Sequence, residues 1–225
     1  MINLKRTYPA PASLEKEKNK KSGTYNQEDV VELLEHDFKN KCYLCGTKSN
    51  SFEIEHLKSH KGNLDLKFDW DNLFLSCKHC NNTKGDRFDN ILNCMDEDVE
   101  DCISCELEAF PKATVKIKSL KDDIRVNNTV KLLDLCFYGE TPLKKLDSKN
   151  MRDNLSSQLN EFKRTIIDFL NSTDENYEIL ERKVIDELAD TSEYAAFKRC
   201  YIKNIKSYLT NIKYIYAIQL AFLLV

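Results

Sequence analysis

Two pairs of cysteines, Cys42/Cys45 and Cys77/Cys80, have the spacing of a metal site. Two intervening residues let a tight turn bring both thiolates of a pair to one ion, and four thiolates complete the tetrahedral coordination of a structural zinc. The 31 residues between the pairs exceed the roughly 15–20 of a usual zinc ribbon, which leaves room for an inserted hairpin. The sequence therefore predicts a four-cysteine Zn²⁺ site that joins two parts of the chain.

The segment between the cysteine pairs carries residues that suit hydrolysis. In "EIEHLKSH", Glu55 directly precedes His56, and Asn81 directly follows the second pair. Neutral imidazole can take a proton from water near pH 7, and a carboxylate can hold a hard divalent ion such as Mg²⁺. The Asn81 side-chain oxygen could bind the same ion. Each residue also has a structural interpretation, in which His56 is a structural histidine and Asn81 only a helix N-cap.

Basic residues surround this group. Lys78, Lys84 and Arg87 follow the second cysteine pair, and further lysines lie on the loop after His56. Such side chains supply the local positive charge that a phosphate backbone requires.

Three further cysteines, Cys94, Cys102 and Cys105, lie in the acidic stretch "CMDEDVEDCISCELE". With the distant Cys136 they could form a second metal site. The surrounding Asp and Glu and the lack of a nearby fourth ligand favour free thiols instead.

The elements that would hold the chemical residues form a compact block. "SFEIEHL" alternates as a strand does, "DNLFLSC" predicts a second short strand, and "HCNNTKGDRF" predicts a brief helix ending near Gly85. The helix predicted for "NQEDVVELLEHDF" precedes them, with Asn26 as N-cap. We therefore expect a strand–strand–helix unit within residues 25–92.

Outside this block the sequence predicts mainly helix. Residues 1–24 are expected to be extended, and residues 93–145 to form an acidic connector with a strand at 113–120 and a helix at 127–137 capped by Asn128 or Thr129. Residues 146–225 carry apolar positions at spacings of three and four, typical of amphipathic helices. The predicted fold class is α+β, a zinc-stapled ββα core embedded in a mainly α-helical protein.

Composition limits the function classes. The net charge of −3 over 225 residues excludes a generally basic nucleic-acid-coating protein. Nine cysteines and no apolar signal segment predict a reducing, cytoplasmic location. The apolar run at 214–225 is too short to span a bilayer, so we expect a buried or partner-docked helix and no membrane association.

The segment "CYLC…IEH…NLFLSCKHCNNTKGD" resembles the HNH, or ββα-metal, endonuclease signature over residues 42 to about 88. The resemblance implies that Glu55 and Asn81 hold a catalytic Mg²⁺ or Mn²⁺ and that His56 is the general base. It further implies that Asn72 orients the His56 loop, beyond capping a turn, and that Lys84 faces phosphate. Cleavage would leave 5′-phosphate and 3′-hydroxyl ends.

The sequence departs from the family pattern at one position. Many members have a histidine where this chain has Asn81, as in the HNN variants. His79 lies two residues earlier and is expected to point elsewhere. His60 is a spare candidate, either substrate-facing or structural.

Motifs outside the core resemble the HNH subunit of Septu-type anti-phage systems, some of them retron-associated. These motifs include "MINLKRTYPAPASL", "ILNC" and "TVKLLDLCF". The resemblance implies DNA cleavage in complex with an ATPase subunit, and it makes residues 146–225 a candidate partner-binding region. The alternatives are an RNA- or tRNA-cleaving toxin on the same core and a non-catalytic zinc adaptor.

Overall fold

The computed structural model describes residues 1–108 and 111–205 of the chain. The strands are β1 (Phe52–His56), β2 (Leu73–Cys77), β3 (Ile103–Glu108) and β4 (Thr114–Ser119). The helices are α1 (Ala12–Lys18), α2 (Glu28–Asp37), α3 (Leu64–Lys67), α4 (Lys78–Lys84), α5 (Ile124–Tyr138), α6 (Pro142–Leu170), α7 (Tyr177–Leu188) and α8 (Ala195–Ile205). The mixed α+β class is confirmed.

The predicted strand–strand–helix unit is present. β1 and β2 pair antiparallel, with His56 opposite Leu73 and Phe52 opposite Cys77. Every residue of β2 is buried, because the strand lies between β1 and the rest of the core. α4 follows β2 without a loop and ends at Gly85, whose positive φ of 51° suits glycine best.

The N-terminal segment is folded onto this unit, which differs from the extended segment expected for residues 1–24. Its helix α1 begins directly after Pro11, and the apolar side chain of Leu4 is buried. The Arg6 guanidinium lies over the Trp70 ring at 4.6 Å, and the Trp70 indole nitrogen donates to the Thr7 carbonyl at 2.9 Å. The charged composition of residues 1–24 gives no sign that Leu4, Arg6 and Thr7 make these contacts.

A second antiparallel pair, β3 with β4, follows the strand–strand–helix unit. The strand at 113–120 was predicted, whereas β3 lies in the acidic stretch and was not. The carboxylates of Glu106 and Glu108 accept from Lys118 and Lys116 across the pair. Cross-strand ion pairs therefore offset the repulsion among the acidic residues of β3.

The described part of the second half, up to residue 205, consists of helices α5 to α8, and it differs from the prediction in two respects. α5 begins at Ile124 and is capped by the Asp123 side chain, so the caps expected at Asn128 and Thr129 are wrong. α6 begins at Pro142, so the boundary expected at residue 146 falls inside a helix. The predicted stripe on α6 is buried, and it consists of Met151, Leu155, Leu159, Phe162, Ile166 and Phe169.

Among residues 1–108 and 111–205, no helix combines the length and apolar character needed to cross a membrane. The apolar run at 214–225 lies outside the described residues.

Candidate active site

The four predicted zinc ligands come together in one buried cluster. The Sγ atoms of Cys42, Cys45, Cys77 and Cys80 all lie within 4.8 Å of one another, and those of Cys45 and Cys77 are 3.9 Å apart. Tetrahedral zinc with Zn–S bonds of about 2.3 Å requires sulfur atoms about 3.8 Å apart. The cluster therefore fits a structural Zn²⁺.

Backbone geometry explains how the cluster forms. The Tyr43 amide donates to the Leu75 carbonyl at 3.0 Å, which lays the first cysteine turn beside β2. Cys77 ends β2 and Cys80 lies in the first turn of α4. A metal held there fixes the direction in which α4 leaves the sheet.

Two side-chain pairs join α4 to β1. The Asn81 amide nitrogen donates to the Glu53 carboxylate at 2.6 Å, and the Lys84 ammonium donates to the Glu55 carboxylate at 2.8 Å. Residues three apart on a helix share a face, and residues two apart on a strand share a face. The two elements thus present matching pairs of polar side chains to each other.

Lys84 is placed differently from the phosphate contact predicted for it. Its side chain is fully buried, and its ammonium also donates to the His56 carbonyl at 2.8 Å. Burial raises the pKa of Glu55, while the positive charge of Lys84 acts in the opposite direction. Lys84 therefore compensates the Glu55 charge and ties α4 to the end of β1.

His56 is held by one hydrogen bond and two ring contacts. Its Nε2 lies 3.1 Å from the Lys67 carbonyl, and since a carbonyl only accepts, Nε2 carries the proton and Nδ1 keeps its lone pair. The rings of Tyr25 and His60 lie 4.7 Å and 4.8 Å from the imidazole. Burial lowers the pKa of His56, which favours the neutral ring near pH 7.

Asn72 spans the loop that follows His56. Its side-chain oxygen accepts from the Lys58 amide at 2.8 Å, and its side-chain nitrogen donates to the carbonyls of Lys58 and Leu66, both at 2.9 Å. Asn72 itself is buried. The three contacts connect β1's exit to the turn that carries Lys67, so Asn72 braces the loop around His56.

The other residues predicted to contact nucleic acid differ in how exposed and how free of partners their side chains are. Lys78 is exposed on the first turn of α4, and His60 is half-buried with its Nδ1 accepting from the Gly62 amide. The Arg87 guanidinium is exposed but pairs with Glu140 at 2.8 Å. Of these three side chains, Lys78 presents the most accessible positive charge.

His79 points away from the site, as expected. Its Nε2 lies 2.7 Å from the Cys136 carbonyl and 3.3 Å from the Ser148 hydroxyl. The ring thus connects α4 to α5 and α6, and His79 anchors the unit to the helical half.

The three remaining acidic-region cysteines, Cys94, Cys102 and Cys105, are all buried and free of disulfides. Burial raises the pKa of Cys94 to about 12 and that of Cys105 to about 11, so both thiols stay protonated at neutral pH. They lie among the core residues.

Two residues of this region were missed by the sequence reasoning. Glu53 contacts Asn81 and follows the same alternation as Glu55, a signal present in "EIE". Asp89 accepts from the amide and hydroxyl of Ser59, at 2.8 Å and 2.7 Å, and so holds the loop that carries His60. Nothing in the spacing of Asp89 marks it, since 30 residues separate the partners.

Comparison with known proteins agrees with this geometry over the nuclease-like unit. No curated protein matches the chain. The matched family model is described as HNH endonuclease and covers residues 42–87, from the first zinc ligand to just past α4. Residues 42–87 are therefore similar to an HNH endonuclease domain, and the class of enzyme that this similarity indicates is a nuclease.

Proposed function

We propose that the protein is a metal-dependent endonuclease that hydrolyses DNA phosphodiester bonds, with His56 as general base. The observation that supports it best is the His56 tautomer. Its Nε2 donates to the Lys67 carbonyl, and burial lowers the pKa of the imidazole, which favours the neutral ring. Nδ1 is then the atom that accepts a proton from the attacking water.

Asn72 and Lys84 act on the reaction through the position of His56. Asn72 braces the loop after β1 with its three hydrogen bonds. Lys84 binds the His56 carbonyl and the Glu55 carboxylate together. Asn72, just before β2, and Lys84, on α4, both form hydrogen bonds at the end of β1. These hydrogen bonds limit the movement of the backbone at His56.

The oxygen atoms of Glu55 and Asn81 are candidates to hold a catalytic Mg²⁺ or Mn²⁺. The Lys84 contact uses one Glu55 oxygen, and the Asn81 amide nitrogen is directed to Glu53, so each side chain keeps an oxygen for a cation. Carboxylate and amide oxygens are the ligands that such cations prefer. When bound, the cation would stabilise charge on the scissile phosphate and the leaving oxygen.

Nucleic acid would approach over the exposed residues near His56. Lys58 and Lys61, on the loop after His56, are exposed cations suited to non-specific backbone contacts. Lys78 is a further exposed cation, but it follows Cys77 at the opposite end of the strand pair from His56. His60 adjoins the catalytic imidazole and is placed in the same approach path. These contacts do not read base identity, so RNA or tRNA is the alternative substrate.

The wider setting that we propose is anti-phage defence in the cytoplasm, in complex with an ATPase subunit. The support is the resemblance of the outer sequence motifs to Septu-type HNH subunits. The helical region from α6 onward is the proposed partner-binding part. A non-catalytic zinc adaptor is the rival function, but it would require only the cysteines and not the ordered Glu55, His56 and Asn72.

A cleavage assay tests the proposal directly. Plasmid DNA and tRNA are incubated with the protein and Mg²⁺ or Mn²⁺, with and without the ATPase subunit. His56→Ala should lower the cleavage rate by about 100-fold or more, the usual contribution of a general base. The matched control is His36→Ala, since His36 is an exposed histidine on α2.

Three outcomes separate the functions. Equal cleavage by wild type and His56→Ala would exclude His56 as the base. Cleavage of tRNA alone would favour the RNA-directed alternative. Inactivity of the wild type on both substrates, even with the ATPase, would favour the adaptor.

A further inference from the structure

The imidazole of His56 has an aromatic ring against it that comes from far away in sequence. Tyr25 lies 4.7 Å from His56 between ring centroids, with the planes at 83°. This is the edge-to-face arrangement that aromatic pairs prefer. Tyr25 precedes α2 and lies outside residues 42–87, the part that corresponds to the HNH model.

The backbone before Tyr25 is fixed from two sides. The Thr24 amide donates to the Glu17 carboxylate at 3.0 Å, and the Gly23 carbonyl accepts from the Lys67 ammonium at 2.9 Å. A Cβ atom at Gly23 would lie 1.8 Å from the Glu17 carbonyl oxygen. Glycine is therefore required for the chain to pass this closely beneath α1.

Lys67 connects this segment to the catalytic histidine. Its carbonyl oxygen accepts from His56 Nε2, while its ammonium holds Gly23. Lys67 therefore contacts both the imidazole and the backbone of the segment that carries Tyr25. The Tyr25 ring contacts the same imidazole. The imidazole's orientation depends on both.

The same segment forms part of a surface pocket that Asn81, one of the two proposed cation ligands, also lines. Thr24 and Tyr25 line this pocket together with Phe52, Glu53 and Asn81. Residues 24 and 25 thus form one wall of the pocket that Asn81 lines.

We infer that residues 23–25 complete the active site and that Tyr25 is a positioning residue for His56. The ring restricts rotation of the imidazole, so that Nδ1 keeps one direction while Nε2 stays on Lys67. This inference rests on the proposed nuclease function, and it assigns a role in that function to a part of the chain beyond the HNH-like unit.

Steady-state cleavage kinetics test the role of the ring. Tyr25→Ala should lower kcat by about 10- to 100-fold, the effect of a slightly misplaced catalytic group, with KM unchanged. Tyr25→Phe should retain wild-type kcat, because the ring makes the contact. Tyr138→Ala is the control, since Tyr138 is a partly exposed tyrosine on α5. An unchanged kcat in Tyr25→Ala, or an equal loss in Tyr25→Phe, would overturn the inference.

A second measurement does not depend on activity. Proton–carbon NMR of the histidine rings, with the His56 signal identified by its loss in His56→Gln, reads the ring-current shift from Tyr25. The shift should disappear in Tyr25→Ala and persist in Tyr25→Phe. Zinc content and circular dichroism confirm folding, and Tyr25→Leu replaces Tyr25→Ala if the latter does not fold.

The NMR result separates this inference from the proposed function. A Tyr25-dependent His56 signal in a protein that cleaves no nucleic acid would support the positioning and refute the nuclease function. A His56 signal that is the same in wild type and the folded Tyr25 variants would refute the positioning, whatever the cleavage assay shows.

Discussion

Lys84 and Glu55 are oppositely charged side chains that are both buried. Lys84 has no exposed surface and Glu55 is 5% exposed. Removing two ions from water is costly, and the cost is recovered only where further hydrogen bonds satisfy them. Lys84 obtains such a bond from the His56 carbonyl, so the pair holds the two residues proposed for catalysis in a fixed relation.

Removing one partner of this pair should therefore destabilise the protein strongly. Lys84→Met is expected to lower the free energy of unfolding by about 3 kcal/mol, because Glu55 is left buried without a partner. The measurement is urea denaturation at neutral pH. Lys78→Met, which replaces an exposed lysine on the same helix, should change stability by less than about 0.5 kcal/mol.

A double-mutant cycle measures the coupling between the two side chains. It compares the single variants Glu55→Gln and Lys84→Met with the double variant Glu55→Gln/Lys84→Met. The loss in the double variant should be smaller than the sum of the two single losses, because the residues interact directly. A strictly additive result would show that the buried pair is not coupled.

At this scale the sequence indicated which residues belong to the candidate site, but it did not indicate the direction in which each side chain points. "EIEH" and "HCNNTKGD" were enough to select Glu55, His56, Asn81 and Lys84. Which helix residue meets which strand residue depends on how α4 crosses β1, and that angle depends on packing. The orientation of Lys84 toward Glu55 instead of solvent could not be predicted for this reason.

Among the elements, α6 has the clearest division between core and solvent. Its buried stripe packs against α7, α5 and α8, while neighbouring positions face outward. Ile166 is 3% exposed and Ile167 is 56% exposed. Two identical side chains in consecutive positions therefore occupy opposite environments.

This pair gives a matched test of the helix packing. Ile166→Ala should cost about 2–4 kcal/mol, because it removes buried methylene groups and leaves a cavity. Ile167→Ala should change stability by about 0.5 kcal/mol or less. Thermal or urea unfolding measures both, and equal losses would contradict the orientation of α6.

Elements with strong periodicity were predictable from the sequence. The three-and-four spacing of α6 and the alternation in β1 each extend over enough residues to identify the element. α1 and β3 were missed because their apolar residues are few and lie among charges. Their stability comes from partners outside the element itself, such as β4 for β3, and the pattern within one element does not contain these partners.

Across the whole molecule, the cysteine cluster joins two segments that are separated by 31 residues of sequence. One pair lies on a turn after α2, and the other lies where β2 continues into α4. A tetrathiolate zinc is bound only by the folded arrangement, so its binding energy becomes folding energy.

Loss of one ligand should therefore release the metal and weaken the fold. Cys42→Ser and Cys77→Ser are each expected to lose stoichiometric zinc and to unfold at lower temperature than wild type. Cys94→Ser, a buried cysteine outside the cluster, is the control and should keep its zinc. Metal analysis of purified protein measures this, and full zinc content in both ligand variants would exclude the four-cysteine site.

The contact of Trp70 with Arg6 and Thr7 has a spectroscopic consequence. Trp70 is the one tryptophan of the chain, and it is buried where the N-terminal segment meets the start of β2. Its fluorescence therefore follows the nuclease-like unit, whereas the far-ultraviolet dichroism comes mostly from the long helices of the second half. Comparing the two signals during unfolding distinguishes a single cooperative transition from two halves that melt separately.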